Sequence, residues 1–400
     1  MPDFDYGRFC DRLTATGRRR RPRAYGKTDA GRIATPSGPL INFASNDYLG
    51  LSRHPDVIRR AQEFASRWGT GAAASRLVCG TLDIHEAIEE KVARGKGAEA
   101  ALVFASGYQA NVSVLAALLD AKVLGGEPLV LSDRLNHASI HDGCRLAGAR
   151  EVRYRHNDLA HLDELLRTHR RADQPCFILS ETVFSMDGDR ADVAGLAELA
   201  ARVDAFLYLD EAHATGVLGR DGFGLSTEIP GAAQLVMGTF SKALGSFGAY
   251  VACSQEIRDY LVNRCGGFIY STALPPPVVG AIDAALDLLP GLEDARAKLQ
   301  AAAAQVREAF HAQGLDCGAS STQIVPVIVG AENAALDLAR GLEQEGMLAV
   351  AIRPPTVPPG TSRVRFSITA AHDEADIARL TESVPRIAAA VAAGAREAAV

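Results

Sequence analysis

Five short apolar runs, spaced widely enough for a helix between each pair, constrain this chain more than anything else in it. They are Ala101-Leu-Val-Phe104, Leu129-Val-Leu131, Cys176-Phe-Ile-Leu179, Ala205-Phe-Leu-Tyr-Leu209 and Leu235-Val-Met237. None alternates strictly between apolar and polar residues, which is the pattern of a strand covered on both faces. Their spacing of roughly 25–50 residues leaves room for crossover helices, so the middle of the chain reads as a mostly parallel α/β sheet. Ahead of it, Pro55 to Trp68 puts Val57, Ala61, Phe64 and Trp68 on one helical face. Behind it, Pro275-Pro-Pro277 marks a break, and a helical stretch leads to a smaller α+β lobe. There Gln323–Val329 and Arg363–Ile368 read as strands, the second alternating as a half-exposed antiparallel strand does. The Ala-rich tail after Ile387 has good helix propensity. The expected division is an N-terminal segment (1–45), a large α/β domain (46–285) and a C-terminal α+β domain (286–400).

Composition narrows the function. The 400 residues are 48% hydrophobic, ample for a large core in two or three lobes. With a net charge of −6, nothing global argues for nucleic acid or an anionic membrane as partner, and neither is expected. No apolar run is long enough to span a bilayer, and the opening MPDFDYGRFCDRL lacks the apolar core of a secretion signal. The seven cysteines are odd in number and contain no CxxC, as expected for reduced thiols in a cytoplasmic protein.

Lys242 carries the chemistry. It lies in Gly238-Thr-Phe-Ser-Lys-Ala-Leu-Gly-Ser-Phe-Gly248, behind the Leu235–Met237 strand. Desolvation disfavours an ammonium, so a lysine buried there loses its proton readily and can condense with an aldehyde. The aldehyde this implies is pyridoxal phosphate. That cofactor needs a carboxylate at its ring nitrogen. Asp210 ends the Phe206–Leu209 run, and ligands gather at the carboxyl ends of strands. An isolated strand-end Asp is more often a helix cap. In DEAHATG, however, His213 follows three residues on and is placed to reach the cofactor's phenolic oxygen. The phosphate needs N–H and O–H donors: Ser106-Gly107-Tyr108 opens a helix after a strand, Thr239 precedes the lysine, and Ser271-Thr272 is a further pair. SGY alone fits an ordinary strand–helix turn equally well. His137, in Asp133-Arg-Leu-Asn-His, is the candidate to cover the ring. His137 and His141 have the spacing of metal ligands on a helix, but no HExxH or third ligand accompanies them, so no metal is expected and His141 reads as structural. Gly69–Arg76 lacks the Lys-Ser/Thr ending of a P-loop and reads as tight-turning backbone near the site.

From about Ile41 to His372 the chain resembles the α-oxoamine synthase family of fold type I pyridoxal-phosphate enzymes. The segments that carry the likeness are NFASNDYLGL, ASRLVCGT, SGYQAN, DRLNHASI, ETVFSMDGD, DEAHATGVLG, GTFSKALGSFGAY, IYSTALPPP and AIRPPTVPPGTSRVRFSITAAH. STALPPP and IRPPTVPPGT point to the biotin-pathway branch, which joins L-alanine to pimeloyl-CoA or a pimeloyl carrier protein with loss of carbon dioxide. Branches using glycine or serine remain the alternative. The likeness implies that Lys242 holds the cofactor and moves the α-proton, Asp210 pairs with the ring nitrogen, and His213 with the phenolic oxygen. It further implies that Ser185 helps hold that oxygen with support from Glu181, that His137 stacks on the ring and contacts substrate, and that Gly107, Tyr108 and Thr239 bind phosphate. Ser271 and Thr272 would come from the partner in a homodimer with shared sites. Arg353 would grip a substrate carboxylate, Asn46 and Thr356 would line the substrate site, and Arg20, within Arg18–Arg21, would meet the acyl donor's acidic end. Two departures, the Leu124–Pro128 connection and Gln323, are expected to touch no residue assigned to chemistry. A sensor domain fused to a helix-turn-helix is disfavoured, because only about 40 residues precede NFASNDYLGL. An inactive subunit is disfavoured by the presence of Lys242, Asp210, His213 and His137.

Overall fold

The computed structural model describes residues 5–15, 18–29 and 31–397. At its centre is a seven-stranded sheet, in the order Ala100–Phe104, Ala249–Cys253, Leu235–Thr239, Phe206–Asp210, Cys176–Glu181, Leu129–Asp133 and Glu151–Tyr154. Ala249–Cys253 is antiparallel to both its neighbours; the other pairings are parallel. All five strands expected from the apolar runs are present. Nearly every residue in them is buried, which explains why they do not alternate.

Helices cover both faces of the sheet. Pro55–Trp68 buries Val57 and Phe64 against Pro276–Leu288, whose first turn carries a proline at the position that needs no N–H donor. The two helices pack closely because position 280 is glycine: a Cβ there would sit 2.6 Å from the Arg60 carbonyl oxygen. The C-terminal lobe is an antiparallel three-stranded sheet, ordered Ile324–Gly330, Ser362–Ser367, Val350–Ile352, packed against the helices Glu293–Ala312, Glu332–Gln344 and Glu374–Glu397. The N-terminal segment belongs with it spatially. Gly38–Asn42 pairs in parallel with Met347–Leu348.

One strand departs from expectation. Ser362–Ser367 was expected to be half exposed, yet all six residues are buried. Val364 and Phe366 enter the apolar core. The other face carries Arg363, which pairs with Asp187 (2.5 Å), and Arg365, which donates to Asn46 and Tyr48. Alternation here marks a core face and a buried polar face, not a solvent face.

Among the described residues no helix is long and apolar enough to cross a membrane. All seven cysteines are free thiols.

Candidate active site

The cleft is built from the carboxyl ends of successive strands. Strand Ala100–Phe104 delivers Ser106, Gly107 and Tyr108; Leu129–Asp133 delivers His137; Cys176–Glu181 ends on Glu181; Phe206–Asp210 ends on Asp210; Leu235–Thr239 leads to Lys242. Seven of the residues expected from sequence thus line one cleft with Lys242: Gly107, Tyr108, His137, Glu181, Asp210, His213 and Thr239.

Each is held by identifiable contacts. Asp210 is 4% exposed. Its Oδ2 accepts from Asn111 Nδ2 (2.7 Å), and its Oδ1 accepts from the Ala212 amide (2.9 Å). Asn111 is oriented in turn by Tyr208, whose hydroxyl donates to Asn111 Oδ1 (2.7 Å). His137 caps the helix Ala138–Ala147: its Nδ1 accepts from the Ser139 amide and lies 2.7 Å from the Ser139 hydroxyl. Its neighbour Asn136 donates to Ser132 and to the Leu179 carbonyl, and accepts from the Glu181 amide (3.0 Å), which ties His137 and Glu181 together. Glu181 Oε1 is buried without a partner. Ser106 caps the helix Gly107–Leu118, leaving the next amides free at a helix N-terminus. A Cβ on residue 107 would meet Thr239 Cγ2 at 2.8 Å, so only glycine leaves that approach open.

Burial eases the deprotonation of the amine. Burial is the largest influence on Lys242; it overcomes the attraction of Asp210 and Glu181 and lowers the pKa to about 8. Burial and the Asp210 charge push the Glu181 carboxyl well above the usual range. Burial, with the Lys242 and Arg365 charges, pushes His213 well below it. This set fits pyridoxal phosphate: an amine for its aldehyde, a carboxylate for its ring nitrogen, a glycine-floored helix N-terminus for its phosphate and an unpaired carboxyl beside them.

The remaining expected residues do not line this cleft. Ser185 is buried in the segment after Cys176–Glu181. Asn46 reaches the back of the cleft through Tyr48 and Arg365. Arg20 donates to Thr356 Oγ1 (3.2 Å), and Arg353, with Arg18 the stronger influence, holds the Glu332 carboxyl below its ordinary range. Ser271 accepts from Gln109 (2.6 Å), and Thr272 bridges to Ser75. Both line a separate small cavity with Arg76, so within one chain the Gly69–Arg76 turn adjoins these two residues and not the Lys242 cleft. His141 faces Glu151 (2.6 Å). Gln323 departs from its expectation: its amide donates to the His213 carbonyl (2.9 Å). Asn111, Tyr48 and Arg365 were not singled out from sequence. Asn111 lies in the quoted SGYQAN and Tyr48 in NFASNDYLGL, but nothing in either segment announces a partner 99 or 165 residues away.

Residues 38–384 match the family described as aminotransferase class I and II. The chain is 57% identical over 347 residues to the 8-amino-7-oxononanoate synthase of Gluconacetobacter diazotrophicus, covering 86% of this chain and 87% of that one. To the 8-amino-7-oxononanoate synthase of Geobacter sulfurreducens it is 46% identical over 379 residues, covering 94% and 95%. Among solved structures, a serine palmitoyltransferase of S. paucimobilis with bound PLP and myriocin superposes with a TM-score of 0.89 at 27% identity, covering 98% of both chains.

Proposed function

The chain belongs to the class I and II aminotransferase family, with a type I fold, and on that premise we propose that it condenses L-alanine with a pimeloyl thioester, using pyridoxal phosphate, to give 8-amino-7-oxononanoate, carbon dioxide and free thiol. The observation that carries this reading is a buried lysine of lowered pKa sharing one cleft with a strand-end aspartate, in a chain so similar to named 8-amino-7-oxononanoate synthases. In bonds, alanine's Cα–H breaks, a bond from Cα to the thioester carbonyl forms and the C–S bond breaks. The Cα–carboxylate bond then breaks, and a proton returns to Cα.

Bound pyridoxal phosphate supplies an aldehyde carbon for Lys242 and a protonated ring that draws electrons from the amino acid's Cα. Asp210 keeps the proton on the ring nitrogen. Lys242 Nζ takes the Cα proton, a task suited to an amine whose pKa lies near the working pH. Gly107, Tyr108 and Thr239 hold the phosphate through amides and a hydroxyl. His213 would hold the phenolic oxygen, with Glu181 behind it and Ser185 contributing from just outside the cleft lining. His137 covers the ring and contacts substrate. Arg353 grips a substrate carboxylate as a two-pronged donor, Asn46 and Thr356 line the substrate site, and Arg20 meets the acyl donor's acidic end. Ser271 and Thr272, absent from their own chain's cleft, serve the site of a second copy in a homodimer. The acyl carrier is coenzyme A or an acyl carrier protein.

A second reading, condensation of serine or glycine with another acyl thioester, is favoured by the likeness to serine palmitoyltransferase. Incubation with L-alanine, L-serine or glycine against pimeloyl and palmitoyl thioesters separates the two by product mass. The expected product is 8-amino-7-oxononanoate from L-alanine and the pimeloyl thioester, and none from the Lys242→Ala protein. Turnover by that variant, or preference for serine with a long acyl chain, overturns the first reading.

A further inference from the structure

We propose that Tyr48 is a positioning residue that fixes His213 in the tautomer carrying its proton on Nε2, so that the imidazole presents an N–H donor to the cleft. The inference deepens the reading above, because the acceptor that such a donor suits is an anionic oxygen such as the cofactor's phenolic oxygen.

The geometry comes from three segments. Tyr48 follows the strand Gly38–Asn42, is fully buried, and brings its phenol oxygen 2.7 Å from His213 Nδ1. The same oxygen lies 3.2 Å from Asn46 Oδ1 and accepts from the Arg365 guanidinium at 3.2 Å. A phenol has one proton to give, and two acceptors compete for it. Asn46 Oδ1 already accepts from Arg365 (3.1 Å) and is the more distant. Nδ1 is the nearer and takes the proton. A cationic donor on the phenol oxygen polarises its O–H and strengthens the bond it gives.

The groups facing His213 are Lys242 and His137 in the cleft and Arg365 on the strand Ser362–Ser367, with Tyr48 neutral beside them. Asp210 and Glu181 line the same cleft. Burial and the cationic neighbours keep the ring neutral, so only one nitrogen carries a proton. With Nδ1 accepting from Tyr48, that nitrogen is Nε2. Gln323 holds the peptide carbonyl of the same residue, so ring and backbone are both tethered. The opposite tautomer would leave Nε2 with a lone pair and no proton to give an anionic oxygen.

The test reads the tautomer directly. Two-bond nitrogen–proton correlation spectra of the full chain labelled with 15N-histidine, recorded with and without pyridoxal phosphate, are expected to show His213 protonated on Nε2. In Tyr48→Phe the pattern should move toward a tautomer mixture. The pH midpoint of the loaded protein's visible band should shift by about one unit, and kcat should fall about tenfold with little change in KM for alanine. A proton on Nδ1 in the unsubstituted protein overturns the proposal, as does a Tyr48→Phe protein with unchanged tautomer and midpoint. Should that variant not fold, the spectrum of the unsubstituted chain decides alone. Absence of any visible band on adding pyridoxal phosphate to the unsubstituted protein would instead overturn the cofactor reading, leaving the tautomer to the correlation spectra.

Discussion

At the scale of single residues, the site depends on ionisable groups removed from water. Lys242 is the clearest case. Burial lowers its pKa to about 8, so its neutral fraction rises roughly fivefold between pH 7 and 8 and then levels off, where an ordinary lysine would keep gaining to ~10.4. The rate at which cofactor-free protein takes up pyridoxal phosphate, followed by visible absorbance, should therefore flatten above about pH 8. A rise continuing to pH 10 would count against a buried amine. Asn111 makes the complementary point. Its amide donates to Asp210 and is itself aimed by Tyr208. A buried hydrogen bond to a charged group contributes about 1.5–3 kcal/mol, or roughly 10- to 100-fold in an equilibrium. Asn111→Leu should weaken cofactor retention by that factor in equilibrium dialysis. Unaltered retention would mean that Asp210 needs no such support.

At the scale of elements, strand ends are pinned to loops by buried polar clamps. His156, just beyond Glu151–Tyr154, lies 3.0 Å from Asp133 Oδ1 and 2.8 Å from Asp189 Oδ2, joining the end of Leu129–Asp133 to the segment after Cys176–Glu181. Burial opposes its charge, but the two carboxylates prevail and raise its pKa to about 10. The sign follows from linkage: with the folded pKa above the unfolded ~6.5, the clamp's contribution is complete below that value and is lost as pH rises through about 10. The thermal midpoint of the native chain should exceed that of His156→Gln at pH 6, and the gap should narrow toward pH 10. A gap that does not vary with pH would show that the ring serves by shape alone. Elements were largely legible from sequence, because buried parallel strands write themselves as apolar runs. Ala249–Cys253 and Glu151–Tyr154 went unnoticed: the first begins inside the lysine segment, and Glu151–Tyr154 has one buried residue in four. The polar face of Ser362–Ser367 was misread, since buried arginines and exposed ones look alike until their partners are known.

At the scale of the whole molecule, residues distant in sequence converge, and here sequence reading reached its limit. Strand-end residues could be assigned to a cleft because topology dictates where strand ends go. Tyr48, Arg365 and Gln323 converge on His213 through three-dimensional packing alone. Ser271 and Thr272 pose a question only an assembly can answer, since their own chain keeps them in another cavity. If they serve a second copy, mixing Lys242→Ala chains with Thr272→Ala chains, each of low activity, should restore part of the turnover in hybrid dimers. Activity no higher than the sum of the two variants would remove the shared-site arrangement.

The loop that carries Lys242 leaves the sheet at Thr239 and re-enters it at Ala249, directly opposite in register. The Phe240 amide bonds the Gly248 carbonyl at its base, and at its far side a Cβ on Gly245 would collide with the Ser52 amide nitrogen. Such a closed loop has little slack for evolution to exploit: one residue gained or lost between those anchors would turn Tyr250 and Ala252 out of the core they now share with the helices. Natural variation in chains of this kind should therefore replace residues inside the loop without altering its length.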